Sequence, residues 1–153
     1  MNVKLSAVAE ALEKSETRQG FVDIKRGEIV LFGDDAFSEA EKTDETEEER
    51  LERVFSIEDD WQRYVALPNI YEDERSMRAD FAASQQGEAQ QELAAALAGA
   101  GGIQRFNRAV RQLKLWREWQ SFFHKRLLEL ARDWCEEYDV EYSDDSNDWE
   151  DLR

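Results

Sequence analysis

The chain is poor in the residues that build most reactive centres. It has one cysteine, one histidine and one proline in 153 residues. The single Cys135 excludes a disulfide framework within the chain and any zinc site built on paired cysteines. The single His124 excludes multi-histidine metal sites and leaves a histidine-dependent triad without a recognisable partner. Long apolar runs are missing too. The stretch around Ala94–Ala98 is far shorter than the roughly 20 residues that span a bilayer. The first ten residues carry no apolar run of secretory length. The expectation is a cytoplasmic protein with no metal, no cofactor and no membrane association.

Charge and aromatics are plentiful. There are 36 Asp plus Glu against 20 Lys plus Arg, a formal net charge of −16. Charged residues make up 37 %, above the roughly 25 % of an average domain. Five Trp, eight Phe and four Tyr supply enough bulk for a core. As a whole such a chain repels nucleic acid and anionic lipid and attracts basic protein surfaces.

The charge is unevenly laid out. Residues 99–134 hold eight basic side chains, Arg105, Arg108, Arg111, Lys114, Arg117, Lys125, Arg126 and Arg132, against three acidic ones, so this stretch is +5 and the remainder −21. Residues 34–60 contain thirteen acidic and three basic residues, and residues 136–153 nine and one.

The apolar pattern predicts a short amphipathic helix over Val3 to Lys14. Phe21 to Ile24 and Glu28 to Phe32 flank Lys25-Arg26-Gly27, a hairpin pattern with glycine in the turn. An acidic linker is expected over about 34–52, and a third strand over Tyr64 to Leu67, closed by Pro68. Helices are predicted over Glu72 to Ala83, Glu88 to Ala98 with Gly99 ending it, Ile103 to Gln112, and Leu113 to Tyr138. Across the last two, Phe106, Leu113, Trp116, Gln120, Phe123, Leu127, Leu130 and Trp134 form a stripe of three-and-four spacing expected to face the core. The predicted class is α+β, a small N-terminal antiparallel sheet on a mainly helical bundle. One domain is expected over 1–140, followed by an acidic, unstructured tail over 141–153.

Read in order, Asp23 with Gly27-Glu28-Ile29-Val30, Tyr64-Val65-Ala66-Leu67-Pro68, Met77 with Phe81, Gly99 through Phe106, and Trp119, Phe122, Ala131-Arg132 and Trp134 resemble the bacterial Uncharacterised Protein Family 0158. The resemblance covers roughly residues 3–140. It implies a shared fold and leaves the activity open.

Two binding readings follow from the residues. In the first, carboxylate-rich faces meet the basic surface of a nucleic-acid-handling protein, as nucleic-acid mimics that inhibit restriction or CRISPR nucleases do. The candidate residues are Asp34, Asp35, Glu45, Glu47, Glu48, Glu49, Asp59, Asp60, Asp144, Asp145, Asp148 and Trp149. In the second, Gly99, Gly101 and Gly102 with Arg105, Arg108 and Arg111 hold a phosphate or a nucleic acid, since free N–H groups at a helix start attract anions. The same glycines also read as a tight turn between helices. An enzyme would have to work with carboxylates alone, and none are paired at a recognisable spacing. A non-catalytic protein is expected. His124 reads as structural. Cys135, beside Glu136 near a helix end, reads as an inert thiol.

Overall fold

The computed structural model describes residues 2–33 and 62–147. Among these residues it contains five helices and five short strands, an α+β fold with a three-stranded antiparallel sheet and one parallel strand pair. The chain divides into two compact units. One comprises the residues up to Ile70 together with those from Leu128 onward, and the other is Tyr71–Leu127.

The first unit is built on β1 (Val3–Lys4), α1 (Leu5–Glu13), β2 (Arg18–Asp23), β3 (Glu28–Gly33) and β4 (Tyr64–Ala66). The predicted hairpin is present, with Asp23 opposite Glu28 and Arg18 opposite Gly33. Strand β2 therefore starts three residues before the alternating stretch, because its pairing with β3 runs on to Gly33. The turn is held from within. The Asp23 carboxylate accepts N–H bonds from Lys25 and Arg26 at 3.1 and 3.2 Å, and Gly27 adopts φ +67°, the left-handed region glycine enters without penalty. The third strand is also present. It pairs antiparallel with β2, so β2 lies at the centre. A side chain at Gly20 would come within 2.9 Å of Leu67 Cδ1, so glycine is what lets the chain close over the sheet there.

Two expectations fail at the ends of this unit. The first helix does not begin at Val3. Val3 and Lys4 form β1, which pairs in parallel with β5 (Tyr142–Ser143), and the Val3 N–H donates to Glu141 O at 3.1 Å. For the same reason the chain is not an unstructured tail from 141 on. The segment through Asn147 is ordered, because a strand from the far end of the sequence supplies the bonds that local propensity does not. The core of this unit is mostly aliphatic: Val3, Leu5, Val8, Leu12, Val22, Leu67 and Ile70, with Leu128, Ala131, Trp134, Cys135 and Val140.

The second unit contains α2 (Tyr71–Ser84), α3 (Gly87–Ala96), α4 (Gly102–Gln112) and the start of α5 (Trp116–Glu137), which continues into the first unit. Its core is aromatic. Phe81, Phe106 and Trp119 meet edge-on with ring centroids 5.0–6.3 Å apart, the geometry that aligns positive ring edges with negative faces. Phe122 joins at 5.5 Å from Phe81. The predicted stripe holds in part. Phe106, Phe123, Leu127 and Trp134 are buried, whereas Leu113, Trp116, Gln120 and Leu130 are half-buried, and Val110, Trp119, Leu128, Ala131 and Cys135 take further core positions. The cause is a break between helices. Lys114 adopts φ +60°, so α4 and α5 are separate helices and no single periodicity runs across both.

Candidate functional site: a carboxylate face

Ten of the twelve residues expected on the acidic face, Asp34, Asp35, Glu45, Glu47, Glu48, Glu49, Asp59, Asp60, Asp148 and Trp149, lie outside the described residues. The other two make hydrogen bonds within the fold. The Asp145 carboxylate accepts from the Ser6 N–H at 2.8 Å and the Ser6 hydroxyl at 2.5 Å. It thus sits at the N-terminus of α1, where unpaired N–H groups and the helix dipole favour a negative charge. Asp144 pairs with Arg132 at 3.0 Å and accepts from the Ser146 N–H at 3.0 Å. Hydrogen bonds from the Ser146 hydroxyl and backbone, with Arg132 beside them, hold its carboxyl below the usual carboxylate range. The Arg132 guanidinium is pushed up in turn, first by its bond to Asp144. Both aspartates fasten the C-terminal segment.

A different acidic face is present. Glu129, Asp133, Glu136 and Glu137 are exposed on the C-terminal half of α5. Their i, i+4, i+7, i+8 spacing places them on one side of the helix, with steps of about 6 Å along its axis from Glu129 to Asp133 to Glu137. Asp139 and Glu141 extend the run past the helix end, and both are exposed. Asp139 adopts φ +54°. None of these six forms an ion pair with a described residue. The Tyr142 hydroxyl donates to Glu136 at 3.4 Å. In the same run stands Tyr138, a large ring left 52 % exposed and packed against Trp134 with centroids 5.5 Å apart. None of these six carboxylates is among the candidate residues named from the sequence, although Glu136, Glu137, Asp139 and Glu141 lie in the acidic block over 136–153. Their helical spacing is the signal in the sequence, and the denser carboxylates downstream mask it.

The glycine-rich turn is also different from the anion cradle that was one expectation. The structure does bring Gly99, Gly101, Gly102 and Arg105 together. The Arg105 guanidinium is already occupied by main-chain oxygens, donating to Ala96 O at 3.0 Å, Ala100 O at 2.6 Å, Ala98 O, and Gly99 O at 3.5 Å. It caps the carbonyl end of α3, the end of a helix that favours a cation, and is not aimed at an anion. Arg108 and Arg111 are exposed on α4, the latter 4.5 Å above the Trp116 ring.

Cys135 is fully buried, and burial with Glu136 nearby pushes its thiol up to about 11. It has no thiolate character at neutral pH. His124 is buried, its ring 6.1 Å from that of Phe123. Among the described residues no three His, Cys, Asp or Glu side chains are placed to hold a metal ion, and no helix is long and apolar enough to cross a membrane. The chain matches no protein-family model, no curated protein and no solved structure.

A row of exposed carboxylates with one exposed ring suits recognition. It offers negative potential, hydrogen-bond acceptors and an aromatic anchor.

Proposed function

We propose that the protein is a non-catalytic interaction module that engages a basic surface through carboxylate-rich faces. The partner class we infer is a nucleic-acid-handling protein, met by mimicry of a phosphate backbone, as in inhibitors of restriction or CRISPR nucleases. Kinship with Uncharacterised Protein Family 0158 is part of the same proposal and rests on the order of the motifs. The observation that carries the reading is the exposed acidic row from Glu129 to Glu141, which forms no ion pair among the described residues, with Tyr138 within it. It lies in a unit whose sequence holds 29 acidic against 11 basic residues, whereas Tyr71–Leu127 holds seven against nine. Long-range attraction of this kind steers a basic partner and weakens with salt.

A second reading keeps one observation in its favour. Exposed Arg108, together with Arg111 stacked on Trp116, sets charge beside a ring, as in surfaces that bind single strands.

The test is capture from a lysate of the source cell, with and without nuclease, at low and raised salt. The wild type is run beside a variant carrying Glu129→Lys, Asp133→Lys and Glu137→Lys. Basic proteins that persist after nuclease, wash off with salt and disappear with the triple variant are expected. A catch that needs nucleic acid and survives the triple variant but not Arg108→Ala with Arg111→Ala transfers the function to the basic helix.

A further inference from the structure

We propose that the first unit holds a receptor cavity for one cationic side chain, an arginine projecting from a basic protein partner. The inference rests on the reading of the protein as a carboxylate-face module and names the part of the partner that docks. The cavity has a volume of about 200 Å³. Its lining combines Val3 of β1, Val22 of β2, Ile24 just past that strand, and Asp139, Val140 and Glu141 beyond α5.

The division of this lining carries the inference. Val3, Val22 and Val140 are buried, whereas Asp139 and Glu141 are exposed. Apolar surface thus lies deep and two carboxylates stand at the mouth. Neither carboxylate forms an ion pair with a described residue. Ile24 is left 40 % exposed, and Tyr138, the residue before Asp139, 52 %. They are two of the three large apolar side chains exposed among the described residues, so apolar contact area gathers around an acidic opening. Contact surfaces that anchor a partner are built in this way. The walls are also fixed from within. The Val3 N–H donates to Glu141 O at 3.1 Å, the Val140 N–H to Cys135 O at 2.8 Å, and the Gly27 N–H, on the adjoining wall, to Asp23 O at 2.8 Å. A site already in shape costs little to order on binding.

Size and charge select the occupant. Small-molecule pockets hold roughly 300–1,000 Å³, so this one takes a side chain and not a cofactor. An anion is repelled at the mouth. A purely apolar side chain would cover the carboxylates without pairing them, which is costly. A long cationic side chain meets both demands, its stem against the valines and its head at the carboxylates. Arginine suits better than lysine, because its guanidinium is more weakly hydrated and forks toward two acceptors. Lys4, Lys25 and Arg26 are exposed next to lining residues in the chain but do not line the cavity. They weaken the local potential, so affinity for one side chain is modest and falls with salt.

The experiment is a titration of the full chain, followed by methyl and amide NMR, with a blocked glycine peptide carrying one arginine. Counterparts carry citrulline, lysine or leucine in its place. Saturable shifts are expected at the Ile24 and Val140 methyls and the Glu141 amide, with citrulline and leucine binding about tenfold more weakly than arginine. Asp139→Asn with Glu141→Gln should weaken the arginine peptide about tenfold. Asparagine accepts the left-handed backbone of Asp139, and Glu141 holds Val3 through its main chain, so the fold persists. Ile24→Arg, at an exposed position, should block the cavity from within. Equal binding of the leucine peptide, or no loss in the Asp139→Asn, Glu141→Gln variant, overturns the proposal. Shifts confined to Glu129, Asp133 and Glu137 and abolished by their replacement with lysine also overturn it, while leaving the carboxylate face standing. Saturation at Ile24 and Val140 that survives those three replacements supports the cavity, even where lysate capture returns no basic protein and the wider reading fails.

Discussion

The two units solve the same problem with different chemistry. Tyr71–Leu127 closes its core with interlocking rings, Phe81, Phe106, Trp119 and Phe122, and its charges nearly cancel. The other unit packs aliphatic side chains against a small sheet and a helix and carries all of the excess acid, the helical unit being slightly basic. Its order depends on individual polar ties. Arg63 meets Asp23 at 3.0 and 2.8 Å through Nε and Nη2, Asp145 meets Ser6, and Asp144 meets Arg132. Large rings stabilise through buried area and tolerate salt and pH. An acidic unit fastened by carboxylates is sensitive to both.

Breaking the ring cluster should give the largest effect. Phe106, with no exposed surface, loses a full aromatic volume in Phe106→Ala, and denaturant titration should show a loss of about 4 kcal/mol centred on the helical unit. Near-UV circular dichroism should collapse while amides of β2 and β3 keep their protection from exchange. Retained ring signals would show that the cluster is not the keystone of that unit.

The sheet turn comes next. Asp23 is 3 % exposed and serves Arg63, Lys25 and Arg26 at once. Asp23→Ala should cost about 3 kcal/mol, at the low end for a buried pair because Arg63 retains some solvent, and should melt the hairpin before the helices. The bond from Arg63 is the main reason the Asp23 carboxyl lies below its ordinary value. A lowered carboxylate stabilises the fold fully above its unfolded pKa of about 3.9. That contribution fades as pH falls from there through the folded value. Acid titration should therefore disorder β2–β4 first, and a hairpin that survives to pH 2 unchanged would contradict the assignment.

Smaller effects sharpen the contrast. Asp145→Ala removes the acceptor at the start of α1 and should cost about 1 kcal/mol, with faster amide exchange at Val3 and Ser6 as β5 detaches. Raising sodium chloride from about 0.02 to about 0.5 M shortens the screening length severalfold. It should relieve repulsion along Glu129–Glu141 and raise the melting temperature of the acidic unit by a few degrees, while the aromatic unit shifts less. Equal shifts in both would mean that the charge imbalance has no energetic consequence.

Much of the local architecture was legible in the sequence because it rests on short-range rules. Alternation around Lys25-Arg26-Gly27 marks a hairpin, and apolar spacing marks the helices from Tyr71 on. The stripe over 106–134 misled where a single residue, Lys114, takes a left-handed conformation that ends one helix and resets the phase of the next. The carboxylates were visible as composition, yet composition does not say which are occupied. Asp144 and Asp145 looked free because their partners, Arg132 and Ser6, are brought to them by the fold. Arg105 looked like an anion ligand because the carbonyls around it are invisible in sequence.

The sequence by itself determined the α+β class, the charge asymmetry and the scarcity of cysteine and histidine, since these follow from residue type and local period. The tertiary structure alone decided which charges remain available. Strand β1 finds β5 across 139 residues, Arg105 turns back on its own loop, and Asp139 and Glu141 come to line one cavity with Ile24. A side chain's hydrogen bonds and solvent exposure depend on neighbours distant in sequence, and only folding assembles those neighbours.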